Sequence, residues 1–428
     1  MAGMVPRVRL WDDAAPGMAP LPVQNTNALT GPPPPAEVEP VLREVVERLA
    51  PLEREAGSEG EREAAQWIAG RLSEAGCSVS VDEERFRDGF AGMMAALAAG
   101  GALAGAAALT RRGRRIGALG GALAAALIAD DASNGVRPLR RAVAATKPTW
   151  NVVAEAGDRE AERTLVLLAH HDAAHTGAIF DQTFQRRLIT TFPGVVERID
   201  TALPVWWPVV GFPGLVSFGA KSGRRGAAAA GLVGCALSAA AFLDIHRSPV
   251  VPGANDNLSA VAALVALAEA LRERPLGGLR VMLVSCGAEE VLQGGIYGFA
   301  RRHLSQLDPE RTWVLNLETL GSPELTLLEG EGPLVMEDYF DRGFRDLIAR
   351  SADAQDLPLR RGMRARSSTD AVVPSRRCFP TATLTSMDRY KALSNYHMPS
   401  DTPENLEYRT VGRAVVLSEA VARRLVPA

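Results

Sequence analysis

The stretch "RTLVLLAHHDAAHTG" (163–177) passes from an unbroken apolar run straight into three of the chain's six histidines and one aspartate. A short apolar run of this length, bounded by charge, reads as a strand buried on both faces. Successive side chains leave a strand on opposite sides, so alternation separates His170 from His171. His170 is the candidate for chemistry, and Asp172, two residues on, shares its side. His171 is expected to face away as a satisfied structural histidine. His175 falls in the glycine-containing loop beyond, where a surface residue is the expectation.

Similar strands recur along the chain. "CSVSVDEERF" (77–86) alternates as a strand does, and "TWNVVAEAG" (149–157) pairs with the opening strand as an expected hairpin. "GLRVMLVSCGAEE" (278–290), "RTWVLNLETLG" (311–321) and "CFPTATLTS" (378–386) are apolar strands. Between them lie helical patterns. Residues 40–76 place Ala64, Ala65, Ile68 and Leu72 on one face and close at Gly76. "VPGANDNLSAVAALVALAEALRE" (251–273) is a turn leading into a helix near Leu258 or Ser259. Helices are also predicted over 294–304, 334–354 and 404–426. Apolar strands alternating with helices predict an α/β fold: a three-layer α/β/α sandwich with a mixed, mostly parallel sheet.

Four stretches carry no charge: 89–110, 116–129, 201–220 and 226–243. The first pair flanks "RRGRR" (111–115) and the second flanks "KSGRR" (221–225). A bilayer span needs roughly 17–20 apolar residues, which three of the four reach. The composition is rich in Ala and Gly, and Pro204, Pro208 and Pro213 interrupt the third. Two apolar helical hairpins inserted in a membrane are the expectation, with buried hairpins of a soluble cytoplasmic protein as the alternative. Arginine-rich short loops favour the cytoplasmic side, which leans the rest of the chain towards the other side.

The net charge of −3 gives no reason to expect nucleic acid. Cys77, Cys235, Cys286 and Cys378 lack the paired spacing of a zinc knuckle, so free thiols are expected. No apolar leader opens the sequence, and residues 1–36, with "TGPPPPAE", read as a disordered tail.

Sites in open α/β sheets form at the carboxyl ends of strands. There the sequence places His170 and Asp172, Asp256 in "NDN", Glu289 and Glu290 after "CGA", and Glu318, with His397 in the loop before the last helix. So many carboxylates at one edge would repel each other and be costly to bury, and divalent cations resolve that conflict. Imidazole with carboxylate and no thiolate suits a catalytic zinc or a similar ion. With one bridging carboxylate, the inventory is enough for two metals.

The ordered succession "AHHD", "PGANDN", "GAEE", "LNLETLG" and "YHMPSDTPENL" resembles the zinc-dependent exopeptidases of the leucyl aminopeptidase and glutamate carboxypeptidase type, over about 40–88 and 148–428. Each motif alone is weak, but five in order are specific. The resemblance implies two co-catalytic zinc ions, other divalent ions being possible. His170 and Glu318 would be terminal ligands of one zinc, Glu290 and His397 of the other, and Asp256 would bridge both. It also implies Glu289 as the general base and Asp172 as the carboxylate that orients His170. Two departures stand out: Glu318 occupies a position where the family usually has Asp, and 182–250 is inserted between ligand segments. The run "FQRRLITTFPGVVERID" (184–200) within that insert is expected to form a lid or an interfacial helix. Asp401 is expected either to orient His397 or to cap a helix, and "SSTD" (367–370) to shape a pocket or a polar turn.

The domain division implied is a tail over 1–36, a di-zinc peptidase domain over 37–88, 145–200 and 246–428, and apolar hairpins over 89–130 and 201–245. The function implied is a metal-dependent exopeptidase, foremost an aminopeptidase, hydrolysing peptide bonds with a water activated by two zinc ions and a Glu base. Its partners are a peptide or small amide substrate and membrane lipid. The alternatives are another amide hydrolase, such as a carboxypeptidase, a glutaminyl cyclase, or a non-catalytic membrane receptor or scaffold.

Overall fold

The protein is described by a computed structural model over residues 31–427, apart from 197 and 202 and the side chains of 195 and 196. The expected tail up to residue 30 lies outside the described residues. From Gly31 the chain runs along the last helix, where Arg409 donates to the Gly31 carbonyl at 3.1 Å.

Nine strands form one sheet: β1 (Ser78–Arg87), β2 (Thr146–Gly157), β3 (Thr164–His170), β4 (Arg280–Cys286), β5 (Thr312–Glu318), β6 (Glu324–Glu331), β7 (Glu337–Asp338), β8 (Arg360–Ala365) and β9 (Thr381–Met387). Their order is β1-β2-β4-β3-β5-β9-β6-β7, with β8 also on β6. The sheet is mixed, but parallel order is confined to the centre β4-β3-β5-β9 and the β6–β8 pair, while the remaining pairings are antiparallel. Parallel pairs do not prevail.

The expected hairpin between β2 and β3 does not form, because β4 lies between them. The connecting turn is tied to the start of β4 instead: Asp158 N–H donates to the Leu279 carbonyl at 2.9 Å, and its carboxylate accepts from Gly278 N–H at 3.0 Å. The six-residue connection is long enough to step across a strand, and β4, apolar on both sides, gains two neighbours there. The helix predicted over 334–354 is also shorter. Glu337–Asp338 pairs with β6 as a strand, and Asp341 caps a helix that begins at Arg342 by accepting from Gly343 N–H at 2.8 Å.

The helices are α1 (Val38–Leu49), α2 (Glu59–Glu74), α3 (Phe90–Ala108), α4 (Arg114–Ala132), α5 (Pro138–Val143), α6 (Thr183–Thr191), α7 (Pro193–Val196), α8 (Trp206–Ser222), α9 (Arg225–Arg247), α10 (Ser259–Glu273), α11 (Gly294–Arg302), α12 (Arg342–Asp353), α13 (Val372–Ser375) and α14 (Tyr408–Leu425). β3 shows how the layers arise. Leu165, Leu167 and Ala169 pack with α1, α2, α10, α12 and α14. Val166 and Leu168 point the other way, against Ile296 and Phe299 of α11 and Val372 and Val373 of α13.

The two apolar hairpins, α3–α4 and α8–α9, pack together as a four-helix bundle. Small residues allow the close approach. A Cβ on Gly121 would meet the Pro213 carbonyl at 2.7 Å, and Ser217 Oγ donates across the same seam to the Ala118 carbonyl at 2.8 Å. The outer face stays apolar and exposed at Leu103, Ile116, Leu119, Leu123, Val233 and Leu237. By length and composition, Phe90–Ala108 and Arg225–Arg247 are able to cross a membrane.

Arg54, fully buried, joins the helical layer to the carboxyl ends of the strands. It donates to the carbonyls of Leu49 at 2.6 Å, His171 at 2.8 Å and Pro252 at 2.7 Å. Burial lowers its pKa to about 10, which leaves it cationic at neutral pH. Arg54→Met keeps the volume and deprives five carbonyls, those of Leu52 and Gly253 included, of this donor, so chemical denaturation should show a loss on the order of 3–5 kcal/mol.

Candidate metal centre

The side chains singled out at the strand ends meet at one point. His170 Nε2 lies 3.2 Å from Asp256 Oδ1 and 3.4 Å from Glu318 Oε1. His397 Nε2 lies 3.1 Å from Asp256 Oδ2 and 3.2 Å from Glu290 Oε2. Asp256 therefore offers one oxygen to each of two triads, His170–Asp256–Glu318 and His397–Asp256–Glu290. Glu289 approaches His170 and Glu290 closely enough to form a third grouping. The longer side chain of Glu318 reaches its place with Oε2 beside Asn316 Nδ2 at 3.5 Å.

Each ligand loop is held from outside the triads. Asp172 Oδ1 sits 3.3 Å from His170 Nδ1, close but off the line of a hydrogen bond. Its two oxygens also accept from the N–H groups of Glu289 and Glu290, each at 3.0 Å. Asp172 thus fixes the Glu289–Glu290 turn as well as facing the imidazole, a role that sequence spacing did not reveal. Asp401 makes no hydrogen bond to His397 and instead holds the N-terminal end of the helical turn Ala254–Leu258. Its carboxylate accepts from Asn255 N–H at 2.7 Å and Asp256 N–H at 3.1 Å, holding the turn that carries the shared carboxylate. Asn255 and Asn257 bind that turn to the loop after Glu318: Gly321 N–H donates to Asn255 Oδ1 at 2.6 Å, and Thr319 N–H to Asn257 Oδ1 at 2.9 Å.

Gln293 is a second residue the sequence reading missed. One side-chain N–H₂ group serves two acceptors, Glu289 Oε1 at 3.0 Å and the Ser368 carbonyl at 2.8 Å. Its position four residues after Glu289 was the available signal. His397 is flanked by Tyr396, stacked at 3.8 Å between centroids, and by Phe180, edge-on at 4.6 Å. His171 turns away as alternation predicts, with Nδ1 2.9 Å from Ser285 Oγ. His175 belongs to neither triad; its Nδ1 is 2.6 Å from the Ser248 carbonyl and its Nε2 3.6 Å from Glu55.

Buried carboxyls and imidazoles crowd one another at this point. Burial pushes the carboxyls of Glu289, Glu290 and Glu318 up, and the surrounding carboxylates raise His397 to about 10. Both ring nitrogens of His397, Nδ1 of His170 and Oε1 of Glu290 are buried without a hydrogen-bond partner. Imidazole nitrogens and carboxylate oxygens converging in two triads, with His397 Nε2 orphaned among them, fit divalent cations, and a donor set without thiolate fits zinc in catalytic use. The described cysteines are all free.

The loop "SSTD" (367–370) is fixed by Glu331, which accepts from Thr369 N–H, Thr369 Oγ1 and Tyr339 OH, the last two at 2.8 and 2.7 Å. Burial pushes Glu331 up from 4.5 to about 7. A raised carboxylate favours folding in its protonated form. Its contribution is complete below about pH 4.5 and is lost as pH rises through about 7. Glu331→Gln should therefore flatten that fall, worth at most about 3 kcal/mol, when unfolding free energies at pH 5 and pH 8 are compared with the wild type.

An α/β/α sheet whose strand ends converge such donors is suited to holding divalent metal ions at its carboxyl edge. Residues 237–421 match Peptidase family M28, and the match includes Asp256, Glu289, Glu290, Glu318 and His397. The fold is also that of three solved structures. LapA aminopeptidase of Legionella pneumophila is 11% identical, with a TM-score of 0.52 over 92% of this chain and 73% of that one. BSAP, a zinc aminopeptidase from Bacillus subtilis, is 12% identical, with 0.51 over 91% and 94%. A glutaminyl cyclase of Bacteroides thetaiotaomicron is 12% identical, with 0.55 over 91% and 99%. Among curated proteins none matches the chain. Over 237–421 the chain is similar to that peptidase family, and the structural likenesses show the α/β fold alone.

Proposed function

We propose that the protein is a membrane-anchored aminopeptidase with two co-catalytic zinc ions. The observation that carries this is the pair of triads sharing Asp256, with Glu289 beside them and outside both. His170 and Glu318 would hold one ion, His397 and Glu290 the other, and Asp256 both. Bound there, the ions supply a lowered water pKa and a polarised substrate carbonyl.

The chain's own groups do the rest. Glu289 Oε1 is committed to Gln293, which leaves Oε2 to take the proton of the attacking water and return it to the leaving amine nitrogen. Burial, by favouring the protonated carboxyl, supports its second duty as an acid. Asp172 holds the Glu289–Glu290 turn against His170, so that base and ligand keep their register.

Membrane anchoring is supported by the exposed apolar flank of the four-helix bundle and by the two helices of spanning length. Basic residues at both hairpin tips favour a cytoplasmic tip and a peptidase domain on the other side.

The activity reading is tested with one peptide in three forms: free amino terminus, N-acetylated, and free terminus with blocked carboxyl terminus. Release of the first residue from the first and third forms only is expected. Cleavage that requires a free carboxyl terminus, or cyclisation of an amino-terminal glutamine without hydrolysis, would contradict it.

A further inference from the structure

The apolar bundle is joined to the metal centre at its base. Just past α4, Asn134 Nδ2 donates to Ser368 Oγ at 2.6 Å and Arg137 to the Leu292 carbonyl at 3.0 Å. Ser368 and Leu292 flank Gln293, the residue that holds Glu289. Near the end of α9, Asp244 accepts from Ala178 N–H at 2.7 Å, and the short turn begun there carries Phe180 onto His397.

From the turn at Ile179 to the first turn of α8 the segment is apolar on the outside. Ile179 is 61% exposed, Phe184 72%, Phe192 54%, Val205 57% and Trp207 54%. Single exposed apolar residues are ordinary, but a row of five in one connection is not. Arg186 and Arg187 lie among them. The segment leads into α8 of the bundle, and the aromatic cluster Phe90, Trp206 and Phe242 sits where it joins. The opposite end carries only the basic tips, which adjoin each other where Arg114 donates to the Ala220 carbonyl at 2.9 Å. Apolar flank, aromatic and basic rim, and distal basic tips follow the order of a bilayer's layers.

We propose that the connection from Ile179 to Trp207 forms a collar seated in the lipid headgroup layer, and that the enzyme acts on peptides held at that surface by an apolar or lipid-attached segment. The collar borders the His397 side of the centre, so a membrane-held peptide meets the site without leaving the surface. Arg187 matches anionic headgroups, while Arg186 is paired with Asp388 at 3.7 Å and anchors the segment to the peptidase domain. This rests on the membrane and peptidase readings above, and the test separates it from each.

The full chain, with the exposed Cys378 replaced by Ser, is labelled with a fluorophore at F184C, L123C or E160C and placed in vesicles of zwitterionic and anionic phospholipid. Shallow nitroxide lipids should quench the label at 184, deep ones the label at 123, midway along α4, and neither the label at 160, which lies in the β2–β3 turn. Position 123 quenched with 184 unquenched overturns the collar while leaving the anchor. Contact between labels at 184 of two copies, without lipid quenching, would assign the row to a self-interface and also overturn it. Position 123 unquenched removes the anchor itself, and the collar with it.

In the same vesicles, a peptide bearing a carboxyl-terminal acyl chain should be cleaved about tenfold better in kcat/KM than its amide, through surface concentration. F184D should reduce that advantage to about twofold or less without slowing the amide. Equal cleavage of both peptides overturns the substrate assignment and leaves the peptidase standing, whereas cleavage of neither removes the peptidase reading.

Discussion

Glu289→Gln should leave the protein folded and loaded with metal while turnover falls by about 10²–10⁴-fold, the range for removing a positioned general base. Gln is isosteric and its Oε1 still accepts from Gln293, so the turn held by Asp172 is undisturbed. What is lost is a group that takes a proton. The variant also decides between two readings of the geometry, because Glu289 approaches His170 and Glu290 closely enough to ligate. Metal content by mass spectrometry, beside kcat on the free-terminus peptide, separates them. Full metal with little turnover is the expected pair; metal lost together with turnover would make Glu289 a ligand.

Asp256→Ala should be more damaging. The carboxylate gives Oδ1 to the His170 triad and Oδ2 to the His397 triad, so its removal weakens both at once. Loss of both ions and a fall in turnover on the order of 10³-fold or more, about 4 kcal/mol of barrier, is expected. His397→Ala takes a ligand from one triad only and should retain metal at the other. Equal metal loss in the two variants would contradict the sharing. The comparison is sound only in folded protein, which near-ultraviolet circular dichroism establishes.

The site was legible because strand ends are legible. An apolar run that stops at a histidine or a glutamate marks the position where a parallel sheet exposes its functional edge. His170, Glu289, Glu290 and Glu318 all lie at or just beyond such ends. The supporting roles were less legible because they pass through backbone groups. The carboxylate of Asp172 on two N–H groups, that of Asp401 on the Asn255–Asp256 turn, and the grip of Gln293 on Glu289 have no spacing signature. Strand neighbours were the weakest inference. A polar turn between β2 and β3 looks the same whether the strands pair directly or admit a third, and the deciding contact lies at Leu279, far along the chain. The apolar hairpins were read as helices from composition alone. That they join into one bundle depends on small residues such as Gly121 facing Pro213, which no single stretch discloses.

The most direct test of the shared centre is the zinc content of the wild-type protein, purified without chelator and measured by mass spectrometry against amino-acid analysis. The two triads around Asp256 predict about two zinc per chain, removed together with activity by a strong chelator and restored together on adding zinc. One zinc or none per chain in folded, peptide-cleaving protein would contradict the account.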